Sequence, residues 1–149
     1  VTLLALEGLT NPQNVGMIIR SAVAAGVDGL LYPGKGVAAL GPLVIKASAG
    51  TVFRAPIIHC EELGHALAQL KQAGLGIAML EAGATQSLFD YQPFAPTVFV
   101  FGSENVGVSQ HTRELTDTRL SIPMQNGVES LNVAVTAALV AFHLSSTKS

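Results

Sequence analysis

The apolar segments of this chain are unbroken where a half-exposed strand would alternate, and most lead into a helical pattern. "VTLLAL" (1–6), "GLLY" (29–32), "APIIHC" (55–60), "GIAMLEA" (76–82), "TVFVF" (97–101) and "RLSIP" (119–123) read as strands. A strand with one wet face alternates apolar and polar residues, so continuous runs mean burial on both faces. Between them lie "NVGMIIRSAVAAG", with Asn14 as a candidate N-cap and Gly26 as its stop, and "PLVIKASAG", opened by Pro42 and closed by Gly50. "EELGHALAQLKQAG" carries acidic residues first and apolar spacing at Leu63, Leu67 and Leu70; "SQHTREL" and "VESLNVAVTAALVAFHLS" complete the helices. This order predicts an α/β fold, a parallel sheet covered by helices on both faces. "GATQSLFDYQPFAP" (83–96) reads as loop, and "SSTKS" as a frayed end.

Residues 1–149 read as one domain, with no repeat, charge block or linker. Only 12% of residues are charged while 49% are apolar, which fits elements buried on more than one side, some of them against a partner subunit. A net charge of −2 argues against capture of nucleic acid by bulk electrostatics, although local basic patches are compatible with it. Lys35, Lys46, Arg54 and Arg113 fall where they would flank a site. Cys60 stands alone and no run of 18 or more uncharged apolar residues occurs, so the chain reads as soluble and cytoplasmic, with no membrane partner. The histidines at 59, 65, 111 and 143 lack metal-ligand spacing, and no metal is expected.

In open parallel sheets ligands lie beyond the carboxyl ends of the strands. Three polar, glycine-bearing loops follow strands here. The first leads to Asn14, Gly16 and Arg20; Arg20, leaning back over the turn that holds Gly16, suits a phosphate or a developing oxyanion, or forms a plain surface ion pair. The second, "FGSENVGVS" (101–109), spaces its glycines as a phosphate loop does, but Val108 stands where the lysine belongs and Glu104 would repel phosphate. It is either a backbone-lined turn for a neutral or cationic ligand or a turn that caps a short helix at Ser109. The third, "IPMQNGVESLNVAV", sets Ser130 and Asn132 in the first turn of the terminal helix, as caps or as ligand contacts.

Together "NPQNVGMIIRSA", "VFVFGSENVGVS" and "SIPMQNGVESLNVAVTAAL" resemble the three ordered motifs of the SPOUT methyltransferases, specifically the SpoU/TrmH-like RNA ribose 2′-O-methyltransferases; "IKASAGTVFRAPI" is similar as well. The likeness runs from about residue 3 to residue 143. It implies a deep C-terminal trefoil knot, a homodimer packed through the first and last helices, and an active site drawing on both subunits. It further implies S-adenosylmethionine as cofactor, a sulfonium cation for which "FGSENVGVS" needs no lysine. Gly102, Ile122, Met124 and Leu131 would line its pocket, with main-chain groups near Leu80 and Glu81 beside the adenosine. Arg20 matches the catalytic arginine, and Asn14, Glu104, Ser130 and Asn132 the surrounding polar set. Asn105 departs from the pattern, since many relatives carry a small residue there.

The function implied is methyl transfer to a ribose 2′-hydroxyl of tRNA or rRNA; the alternative is a non-catalytic RNA-binding or assembly factor that keeps the knotted fold. With a pKa of roughly 12 or higher, arginine is a poor base near neutrality, which favours Arg20 as stabiliser of the developing alkoxide or clamp on the adjacent phosphate. A detached N-terminal RNA-binding module, common in such enzymes and outside this chain, would supply the basic surface that its composition lacks.

Overall fold

A computed structural model describes residues 1–104 and 106–146. Among these residues seven parallel strands form one sheet: β1 (Thr2–Glu7), β2 (Gly29–Pro33), β3 (Ile57–Cys60), β4 (Gly76–Leu80), β5 (Gln86–Ser87), β6 (Thr97–Gly102) and β7 (Thr118–Ser121). Their spatial order is β3-β2-β1-β6-β4-β7-β5. The chain builds outward from β1 to β3, crosses to β4 and β5 on the other side, then inserts β6 between β1 and β4 and β7 between β4 and β5. In register, Glu7 at the end of β1 lies beside Gly102 at the end of β6.

Among the described residues five α-helices cover the sheet: α1 (Pro12–Ala25), α2 (Pro42–Ala47), α3 (Leu63–Gln72), α4 (Gln110–Leu115) and α5 (Val133–Ser146). One face buries Leu4, Leu30, Phe99 and Leu120 against Ile18 and Ile19 of α1 and Ala137 and Val140 of α5. The other buries Ala5, Ile77 and Val98 against Leu63 and Leu67 of α3. Alternate residues of the same strand thus enter opposite cores, the reason the runs are continuous.

Three local expectations are corrected. The N-cap of α1 is Asn11, not Asn14: its side chain accepts from the amides of Gln13 at 2.9 Å and Asn14 at 3.2 Å. Pro12, which has no N–H to orphan, occupies the first helical position and pushes the cap one residue upstream of itself. The terminal helix begins at Val133 and not at Val128, so Ser130 precedes it and Asn132 is its cap, accepting from Ala134 N at 2.8 Å and Val135 N at 3.3 Å. The stretch 83–96 holds the edge strand β5 and a 3₁₀ turn, Leu88–Asp90, anchored by the buried Leu88. A two-residue edge strand is too short to show a period.

The α1–α2 contact is made by bare backbone. A Cβ added at Gly16 would lie 2.5 Å from Ala47 Cβ and 2.8 Å from the Val44 carbonyl oxygen. Gly16 therefore lets two helices touch.

Candidate active site

The loop after β6 folds back on itself. Gly107 N donates to Ser103 O at 2.7 Å, Val106 N donates to Ser103 Oγ at 3.1 Å, and Ser103 and Gly107 form an antiparallel bridge. At Gly102 an added Cβ would sit 2.4 Å from the carbonyl carbon and oxygen of Gly107 and 2.8 Å from Val108 N, all of them backbone. No side chain fits there. Asn105 lies outside the described residues.

Two carboxylates hold this loop in place. Glu7 accepts from Ser109 N at 2.5 Å, from Thr112 Oγ1 at 2.8 Å and from Ser109 Oγ at 3.3 Å, while Ser109 caps α4 through Thr112 N at 3.2 Å. The capping reading of Ser109 is correct for that residue. Glu104 accepts from Val133 N at 3.1 Å. Glu104 and Asn132 together satisfy the first three amides of α5, where the helix dipole favours negative charge. Asn132 Nδ2 also donates to Asn14 Oδ1 at 3.1 Å, fastening α1 to the same point.

These bonds enclose a cavity of about 280 Å³ at the carboxyl ends of β4, β6 and β7. Leu80, Glu81, Gly102, Ile122, Met124 and Leu131, the six residues expected around a cofactor, all line it, as do Glu104 and Ser130. Its walls combine apolar side chains with main-chain groups and the carboxylates of Glu81, Glu104 and Glu129. Such a lining suits a compact ligand with an aromatic part and a positive charge; phosphate would be repelled.

Asn14, Asn132 and Arg20 do not line the cavity. The first two brace its rim through α5. Arg20 is exposed and has no ion-pair partner among the described residues, so the surface-ion-pair reading is not what the structure contains. Six residues separate it from Asn14, which turns it roughly 120° around α1, onto the flank shared with Gly16 and α2.

Arg113 of α4 also lines the cavity and binds Glu81 in a tight ion pair, joined by Arg119 at 3.4 Å from the second carboxylate oxygen. The Arg113 hydrogen bond, with the charge of both guanidiniums, holds the Glu81 carboxyl below its usual range against the opposing effect of burial. Sequence reasoning noticed Arg113 only as a nearby cation and overlooked Glu7. The position of Glu7 at the carboxyl end of a central strand was the available signal. Among the described residues no group of three His, Cys, Asp or Glu side chains could hold a metal ion, and no helix is long and apolar enough to cross a membrane.

The cavity is thus built from the ends of β4, β6 and β7 and the approach to the last helix. Residues 2–142 match the SpoU rRNA Methylase family, and the chain belongs to it. It is 35% identical to the 23S rRNA (guanosine-2′-O-)-methyltransferase RlmB of Pseudomonas aeruginosa over 95% of this chain and 57% of that protein. It is also 36% identical to an uncharacterized tRNA/rRNA methyltransferase of Mycolicibacterium gilvum over 93% of this chain and 44% of that one. The SpoU methyltransferase AviRb of Streptomyces viridochromogenes, solved in complex with AdoMet, superposes with a TM-score of 0.86 at 28% identity, over 99% of this chain and 60% of AviRb. The chain spans about half the length of the curated relatives it matches.

Proposed function

We propose that this chain is the catalytic domain of an S-adenosylmethionine-dependent RNA ribose 2′-O-methyltransferase acting on tRNA or rRNA. The observation that carries this reading is the single cavity formed by Gly102, Ile122, Met124 and Leu131 with the carboxyl end of β4. The cradle at Gly102, which a Cβ would fill, lets main chain approach a ligand, and a lining of apolar side chains with three carboxylates against one guanidinium fits a cationic nucleoside. AdoMet bound to AviRb and the guanosine-2′-O activity named for RlmB support carrying cofactor and reaction over to this chain.

When bound, the cofactor supplies an electrophilic methyl group. The work of the chain is to exclude water with Ile122, Met124 and Leu131, to hold the β6 loop through Glu7 and Glu104, and to aim a ribose oxygen at the cavity mouth, where Ser130 lies. Arg20 stabilises the oxygen as its negative charge develops, or grips the neighbouring phosphate; as an always-charged group it does not take the proton itself.

Arg20 stands on the far flank of α1 from the cavity rim, so the site is completed between two copies of the chain. Support comes from the apolar residues that α1 and α5 leave uncovered, Met17 on the one and Val135 and Phe142 on the other. We further propose that the segment from Ile122 to Asn132 threads a loop to form a trefoil knot; supporting this, β7 is inserted between β4 and β5 before the chain returns to α1. An additional RNA-binding module beyond this chain would agree with the share of its relatives that it spans.

Incubation with methyl-labelled S-adenosylmethionine and unmodified tRNA or rRNA should place label in alkali-resistant dinucleotides. Label on a base alone would refute the ribose assignment. Cellular function that survives Arg20→Ala would favour a non-catalytic factor of the same fold.

A further inference from the structure

Among the described residues the cations are sorted along the chain. Among the described residues Lys71 pairs with Asp117, and Arg113 and Arg119 pair with Glu81. The remaining four, Arg20, Lys35, Lys46 and Arg54, are exposed, form no ion pair among the described residues, and all fall between residues 20 and 54. From Pro12 to Pro56 the sequence has one acidic residue, Asp28, against those four basic ones, within a chain whose net charge is −2. The Asp28 carboxylate is engaged by Thr2 N at 2.7 Å. Three of the four, Arg20, Lys46 and Arg54, lie on α1, α2 and the 3₁₀ turn Thr51–Arg54, which pack on one another, so this part of a globally acidic protein is locally positive.

The same part displays its largest apolar side chains to water. Phe53, in the 3₁₀ turn Thr51–Arg54 after α2, is 77% exposed, and Leu43 of α2 is 66% exposed. Their backbone is held firmly. Ser48 is buried, donates to Ile45 O at 2.9 Å and accepts from Val52 N at 3.4 Å, and Thr51 Oγ1 donates to Ser48 O at 2.7 Å. Close packing of Ala47 and Ser48 on Gly16 fixes this corner to α1. An aromatic ring presented on a rigid corner, beside Arg54 and one short helix from Lys46, has the parts of a stacking platform with a phosphate track.

We propose that the α2 corner, Lys46, Phe53 and Arg54, binds an unpaired stretch of the RNA substrate, one base stacked on Phe53 and its phosphates on the two cations, leading the strand toward Arg20. This rests on the RNA-methyltransferase reading and extends it to the route of the strand. A two-fold contact centred on Phe53 fits this corner poorly, because it would set Lys46 and Arg54 against their own duplicates.

The test measures binding of a fluorescein-labelled 15-nucleotide oligouridylate to the protein across a salt series. Phe53→Ala should weaken binding about tenfold, the size of one lost base stack, and Phe53→Trp should restore it. Lys46→Gln with Arg54→Gln should flatten the slope of log affinity against log salt by about 0.7 for each lost phosphate contact. The S-adenosylmethionine-induced rise in melting temperature serves as the fold control and should persist in every variant. Absence of oligouridylate binding by the wild type would overturn the proposal. Variants that bind with wild-type affinity and slope would overturn it too, as would Phe53→Ala dissociating a dimer in sedimentation, which assigns the face to a second copy. A wild type that binds the oligonucleotide through Phe53 yet shows no cofactor-induced shift would instead refute the methyltransferase reading and leave this surface standing.

Discussion

Replacing Gly102 by alanine tests the cofactor pocket at its least compressible point. The new methyl group would meet the Gly107 carbonyl carbon and oxygen at 2.4 Å, where ordinary carbon contacts lie near 3.5–4.0 Å. More than an ångström must be found by moving backbone, which breaks the Ser103–Gly107 bridge. Overpacking of this kind costs about 1–3 kcal/mol. With an unfolding entropy of roughly 2.1 cal/mol/K per residue over 149 residues, that is a fall in Tm of about 3–10 °C. The cofactor, at a hundred times its Kd, should raise the wild-type Tm by about 9 °C, from a stabilisation of about 2.7 kcal/mol. Gly102→Ala should lose both, the first from strain and the second because the pocket wall has moved. Gly16→Ala is the matched control: its methyl group would strike Ala47 and Val44 equally hard, but Gly16 does not border the cavity, so Tm should drop while the cofactor-induced rise survives. Differential scanning fluorimetry with and without S-adenosylmethionine reads both quantities. A Gly102→Ala protein that keeps its Tm within a degree and its full ligand response would refute the idea that this loop is the cofactor wall.

Arg20→Ala should lower methyl transfer by about 10²–10³-fold and leave S-adenosylmethionine affinity unchanged in a calorimetric titration, since Arg20 does not line the cavity. Mixing Arg20→Ala and Gly102→Ala subunits should recover roughly a quarter of wild-type activity if each site borrows the arginine of its partner, and nothing if arginine and pocket act within one chain. Asn132→Ala removes the cap from two amides of α5 and the tie to Asn14, and should cost about 1 kcal/mol in urea denaturation; Asn132→Asp keeps the cap and should lose less. The Glu81 carboxyl is held low by Arg113, so its stabilising effect is complete above the ordinary glutamate pKa of about 4.3 and is lost as pH falls through the lowered value; thermal melts from pH 7 to pH 3 should show a steeper acid loss for wild type than for Glu81→Gln.

Chain chemistry alone determined the layers. Unbroken runs such as Thr97–Phe101 require burial on both faces, and a strand buried on both faces requires helices above and below. The three glycine-bearing loops could likewise be assigned to strand ends, since Gly102 closes β6 and Met124 follows β7. Prolines and side-chain caps blurred the helix starts by a few residues: Pro12 moved the cap of α1 to Asn11, and Asn132 delayed α5. The dipeptide strand β5 left no trace in the pattern because two residues cannot display a period.

Tertiary structure decided which loops meet. Strand order carries no local signature; it follows from where β6 and β7 find partners late in the chain, and insertion of β6 beside β1 is what brings Glu7 to Ser109 across 102 residues. The same insertion puts Glu104 on the first amide of α5 and Arg113 on Glu81, pairings whose members look, in the sequence, like unrelated surface charges. Arg20 is not among the residues of its own chain that line the cavity. Local pattern reports how each segment satisfies its own backbone and apolar faces, whereas the site depends on hydrogen bonds and close contacts between segments that become neighbours only when the sheet is complete.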